Sequence, residues 1–75
     1  MERKKEDFTY RGVKAQITYF LTPSKTVPRF DVYAALSQDE EKIGASIQGW
    51  DTEIDALNAA KALAREKIDK HLLEK

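Results

Sequence analysis

Apolar residues recur at two spacings along this chain, every second position up to residue 48 and every third or fourth position after residue 52. The first spacing belongs to strands, whose side chains alternate between faces. The second belongs to a helix, which repeats about every 3.6 residues. From Phe8 to Leu21 the residues are β-formers, with Val13, Ala15, Ile17, Tyr19 and Leu21 on one face and Lys14, Gln16, Thr18 and Phe20 on the other. Gly12 marks a bend or bulge after a short lead-in. Phe30 to Ser37 predicts a second strand, with Phe30, Val32, Ala34 and Leu36 inward. Gln38 to Lys42 reads as a polar turn, and Ile43 to Gln48 as a third strand with Ile43, Ala45 and Ile47 inward. On this phase Ile47→Asp is expected to unfold the domain by burying an unpaired charge, and Ser46→Asp to be mild.

Thr52 to Lys75 predicts an amphipathic helix. Thr52 is the expected N-cap, with Asp51 as its rival, because a side-chain oxygen there accepts a free amide of the first turn. Glu53 and Asp55 suit the positive end of the helix dipole, and Arg65, Lys67, Lys70 and Lys75 suit the negative end. Ile54, Leu57, Ala60, Ala64, Ile68 and Leu72 form the expected buried stripe. The parts assemble into an α+β domain, a three-stranded antiparallel meander (β-β-β-α) with the C-terminal helix packed on one face. Leu21 opposite Phe30 and Leu36 opposite Ile43 would align the inward sets.

Residues 1–7 are almost all charged and read as a solvated, disordered tail, leaving 8–75 as a single domain; the rival reading is a basic arm of Arg3, Lys4 and Lys5 that touches an acidic partner, its field mostly cancelled by Glu2, Glu6 and Asp7. A chain of 75 residues buries only about 60% of its unfolded surface, so its core is thin. Cysteine is absent and there is one histidine, which removes a disulfide frame and disfavours a zinc site. No metal or cofactor is expected. Lysine plus arginine number 13 and aspartate plus glutamate 13, so there is no overall basic surplus of the kind nucleic-acid binders carry. No apolar run approaches the ~20 residues of a membrane span, and no signal peptide is legible; the expected location is the cytoplasm.

The sheet face away from the helix would carry Lys14, Gln16, Thr18, Phe20, Asp31, Tyr33, Ala35, Gly44, Ser46 and Gln48. Phe20 and Tyr33 are expected to lie diagonally near each other there, flanked by Tyr10 and Trp50. Such aromatics either brace the sheet by cross-strand packing or form a platform for a base or a partner. Thr22 to Arg29, with Pro23 and Pro28, is long for a hairpin loop and carries Lys25 and Arg29. Phe20, Tyr33, Trp50, Lys25 and Arg29 are therefore the candidate partner-binding residues.

Catalytic candidates are weak. His71 and Glu74 share a helix face but lack a second histidine. Asp51, Glu53 and Asp55 alternate like a calcium loop without the glycine that loop needs. Asp39, Glu40 and Glu41 form a solvated turn cluster, and Ser24, Ser37 and Ser46 have no histidine placed to activate them. A two-layer domain of this size has little depth for a pocket, so enzymatic activity is not expected.

Phe30 to Leu72, including the run LNAAKALA, looks like the β-β-α part of a double-stranded RNA-binding domain. That family has a leading helix and a lysine pair opening its last helix, where this chain has Thr52, Glu53 and Ile54, so RNA binding is not carried across. GWDTEIDALNAAKALA resembles the strand-to-helix junction of HicB-like antitoxin domains. That resemblance implies a small regulatory partner protein, although the family's aromatic-to-proline pattern is missing. A broader likeness, from Tyr10-Arg11-Gly12 to Ala60, Ala64, Ile68, Asp69 and His71, is to small uncharacterised bacterial β-β-β-α proteins. It implies the fold and no mechanism. The expected function is a non-enzymatic binding or regulatory module that works by protein contact, including self-association as a homodimer. Protein is preferred because no basic ring surrounds the aromatics. The alternative is a nucleic-acid binder using Lys14, Lys25 and Arg29 with those aromatics.

Overall fold

The computed structural model describes residues 1–36 and 39–73. Ser37, Gln38, Glu74 and Lys75, which belong to the expected second strand, turn and helix end, lie outside the described residues. Four strands, not three, precede the helix: β1 (Glu2–Tyr10), β2 (Val13–Leu21), β3 (Phe30–Ala34) and β4 (Glu41–Ser46), followed by α1 (Glu53–Leu73). They form one antiparallel meander in the order β1-β2-β3-β4, an α+β fold. Among the described residues no helix is long and apolar enough to cross a membrane.

The added strand is the charged stretch that hydropathy assigns to a tail. Glu2 through Tyr10 pairs with Leu21 through Val13 without a register break. The chain reverses over Arg11 and Gly12, whose φ angles of 52° and 79° are both positive, as a tight type I′ hairpin turn requires. Its right-handed twist matches that of the strands it joins. Arg11 holds this strained position with its guanidinium 2.9 Å from Asp69 on α1.

Tyr19 pairs with Phe30 and Ala15 with Ala34. The expected Leu21–Phe30 register is thus off by two residues, which preserves the faces. The loop 22–29 explains the slip. Thr22 and Thr26 close a compact turn through the bonds Thr22 N–H to Thr26 O at 3.0 Å and Thr26 N–H to Thr22 Oγ1 at 3.1 Å. Val27 then enters the core, fully buried, and exchanges two backbone bonds with Trp50. The loop thus adds one isolated bridge to the three ladders of the sheet.

Between β3 and β4 the expected phase fails. Ala34 pairs with Glu41 and Tyr33 with Lys42, but Val32 pairs with Gly44 and Phe30 with Ser46. Ile43 is the extra residue of a β-bulge, and a bulge shifts every later side chain to the other face. Ile43 still packs on the core. Gly44 and Ser46 replace Ala45 and Ile47 on the inner side, and Ile47 is 80% exposed. Gly44 suits its position because a Cβ there would come within 2.7 Å of Leu63 Cδ2.

α1 starts where its cap residue dictates: Asp55 N–H donates to Thr52 Oγ1 at 3.1 Å. Its 21 residues span about 31 Å, close to the length of a nine-residue strand. The helix lies over β3 and reaches β2 and β4. Ala56, Ala60, Ala64 and Ile68 form the buried stripe, every fourth residue. The alanines let the backbone approach the sheet closely. The expected stripe is corrected at one end, since Ile54 is 71% exposed and Ala56 takes its place. Ile17, Val32, Phe30, Tyr19 and Val27 complete the core opposite.

Candidate functional site

The face of the sheet turned away from α1 is built by alternation. In β2 it carries Lys14, Gln16, Thr18 and Phe20; in β3, Asp31 and Tyr33; in β4, Lys42 and Ala45. β1 adds Arg3, Lys5, Asp7 and Thr9, because each sits opposite an outward residue of β2. Arg3 faces Phe20 and Lys5 faces Thr18 across that ladder. Tyr33 has Lys42 directly across the next one. Each aromatic on this face therefore has a cation as its cross-strand neighbour.

The middle of the face is an ordered polar cluster. Thr18 and Asp31 are paired across β2 and β3. Asp31 accepts from Arg29 at 3.1 Å and lies 3.0 Å from the Lys42 ammonium. Burial pushes the Asp31 carboxyl up, but Lys42 and Arg29 outweigh it and hold the group below its ordinary value. Asp31 is thus ionised and spoken for. Asp7 accepts from Gln16 Nε2 at 3.0 Å, and Glu40 lines a depression with Asp7, Lys14 and Gln16. Arg3, Lys5 and Lys14 are in none of the ion pairs among the described residues.

Two shallow depressions run together on this face. One, of about 240 Å³, is lined by Arg3, Thr18, Tyr19, Phe20, Arg29 and Asp31. Its neighbour, of about 410 Å³, is lined by Arg3, Lys4, Lys5, Gln16 and Thr18. They share Arg3 and Thr18, giving a trough across β1, β2 and the start of β3. It is open, and Arg3, Lys5 and Arg29 line it together with Phe20 and Thr18. Among the described residues no group of three or more His, Asp or Glu side chains is gathered to hold a metal ion.

The sequence candidates are only partly brought together. Phe20 and Arg29 share the trough. Tyr33 stands opposite Gln16, four residues along β2 from Phe20, so the two aromatics are roughly 14 Å apart by strand geometry and not diagonal neighbours. Trp50 leaves the face altogether: it is half-buried, tilted against Phe30 with ring centroids 6.2 Å apart, and bridged to Val27. Lys25 occupies the loop tip at φ 68°, and its charge helps hold Glu53 of α1 ionised, which places it toward the helix. Tyr10 also faces the helix side, donating to both Asp69 carboxylate oxygens at 3.0 Å. Sequence reasoning gives Arg3 and Lys5 only as part of a basic arm, not as part of this face, and misses Lys42. The signal for the first two was the Arg11-Gly12 turn, which obliges the residues before it to pair backward along β2.

No protein-family model, no curated protein and no solved structure matches the chain. What this face can bind is therefore set by its own chemistry.

Proposed function

We propose that the protein binds single-stranded nucleic acid along the trough, with bases stacked on Phe20 and Tyr33 and phosphates met by Arg3, Lys5 and Lys14. The observation that carries this reading is the placement of Arg3 opposite Phe20 and Lys5 opposite Thr18. Hydropathy and net charge favour a protein partner because a basic ring is missing. β1 supplies that ring. The overall charge is zero, yet the outward face carries Arg3, Lys5, Lys14, Arg29 and Lys42 against Asp7, Asp31 and, beside Lys14, Glu40, and Asp31 is already neutralised by Arg29 and Lys42. An aromatic beside a cation is what an unstacked base with its phosphate requires. The trough is too shallow to enclose a small substrate, which supports binding over catalysis.

Titration of labelled single-stranded and duplex oligonucleotides at two salt concentrations tests this. Three phosphate contacts predict that a threefold rise in salt weakens single-strand binding roughly tenfold. Phe20→Ala should cost about 1–3 kcal/mol of affinity, the worth of one stacked base. Lys25→Ala at the loop tip should change little. No binding at low salt, or full affinity in Phe20→Ala, would remove the proposal. Contact with another protein is favoured by a different surface, the free edge of β1.

A further inference from the structure

We infer that two copies of this chain pair edge to edge through β1, forming one continuous antiparallel sheet. β1 is an outermost strand of nine residues with no break in its register. The opposite edge, β4, is shorter and interrupted by the bulge at Ile43, a feature that discourages strand addition. The direction of the free hydrogen-bonding groups follows from the ladder. Ala35 N–H, just past β3, donates to the Lys14 carbonyl at 2.9 Å, so the Thr9–Lys14 pair is not a hydrogen-bonded one. By alternation, Arg3, Lys5, Asp7 and Thr9 turn their N–H and C=O groups to the open edge.

The charges on this edge are self-complementary in one register. A two-fold axis perpendicular to the sheet at Lys5 sets Arg3 opposite Asp7 of the second copy, and Lys4 opposite Glu6 of the second copy. The symmetry repeats both pairs. Only Lys5 meets its like, and its flexible stem lets the ammonium groups diverge into water. Moving the axis to Lys4 opposes Arg3 to Lys5 and Glu2 to Glu6, both repulsive. Moving it to Glu6 sets that carboxylate against itself and keeps Lys5–Asp7 as the sole attractive pair. On the helix side the favoured register also extends existing bridges. Glu6 already lies 2.7 Å from Lys61, and Lys4 lies 3.6 Å from Glu53, so the seam joins four alternating charges in a row. The pairing does not depend on what the outer face binds, though it would place two basic troughs side by side.

Analytical ultracentrifugation without nucleic acid tests the pairing. The unaltered chain should sediment at twice the monomer mass. Arg3→Asp and Asp7→Arg should each weaken the dimer at least tenfold, and the double variant carrying both should restore it. Lys5→Pro, which removes an edge N–H without touching a bond to β2, should give a folded monomer by circular dichroism. A monomer at millimolar concentration would overturn the inference, as would a dimer indifferent to both single charge reversals. A monomer that still binds oligonucleotide would overturn the pairing alone and leave the trough standing.

Discussion

Ile17, in the middle of β2, faces Val32 across one ladder and Glu6 across the other. Ile17 and Val32 are fully buried and sit under the alanines of α1. Glu6 is half-buried and reaches α1 through Lys61. The same contrast runs along both strands. β3 alternates between buried and half-buried residues, whereas β1 alternates between half-buried and exposed ones. β3 is held by burial of apolar area. β1 is held by its backbone ladder and by a polar clasp to the helix: Lys4 to Glu53, Glu6 to Lys61, and Tyr10 with Arg11 to Asp69. Phe8 alone in β1 packs on both apolar clusters. A strand can therefore be structural while contributing almost nothing that a hydropathy pattern would register.

The largest break in this comparison should come from Val32→Asp, which buries an unpaired charge in the centre of the core. It should cost more than about 4 kcal/mol and leave the chain unfolded in urea titrations. Glu6→Ala, at the equivalent place in β1, should cost at most about 1 kcal/mol, the worth of a half-exposed ion pair. Equal losses would show that β1 carries more of the core than its burial indicates.

A middle-sized effect separates the two sides of β4. Ser46→Asp places a carboxylate beside buried Phe30 and should cost about 1–3 kcal/mol. Ile47→Asp, on a side chain facing water, should be close to neutral. This reverses the order that strict alternation through the third strand gives, and thermal melts of the two variants decide between them.

The smallest effect is acid loosening of the clasp. Tyr19 donates to Glu53 at 2.5 Å and holds that carboxyl below its ordinary 4.5. Arg11 does the same for Asp69, below its ordinary 3.8. A group whose folded pKa is depressed adds stability above its unfolded pKa and loses it as pH falls through the folded value. The contribution should be intact above about pH 5 and decline below the ordinary carboxylate range. Backbone resonances of β1 followed by nuclear magnetic resonance through that range should shift before those of β3. Simultaneous loss would show that the strands melt as one unit.

What could be read in advance follows the same division. Wherever apolar residues set the geometry, the pattern shows the faces of β2 and β3 and most of the helix stripe, and the Thr52 cap is legible too, but the β2–β3 register slips by two residues. Three features escaped. The charged residues of β1 carry no hydropathic signal for pairing; only the turn at Arg11-Gly12 announces it. The bulge at Ile43 adds one residue and inverts the rest of β4, and strict alternation cannot show such a shift. Trp50 was placed outward because the pairing of Val27 with Trp50 depends on how the 22–29 loop closes. Of the candidate site, Phe20, Arg29, Lys14 and Tyr33 were legible on their face. Arg3 and Lys5, which give that face its charge, were not, because their strand was not.

The order of elements has a consequence for synthesis. Every strand lies beside its predecessor, so the sheet can assemble as it leaves the ribosome, but its greasy side stays bare until α1 follows. Ala56, Ala60 and Ala64 cover the larger apolar cluster, and Ile68 and Leu72 follow them over Ala15 and Ala34. A nascent chain paused before Ala56 emerges would expose Ile17, Val32 and Phe30 together, the moment at which this small domain most needs a chaperone.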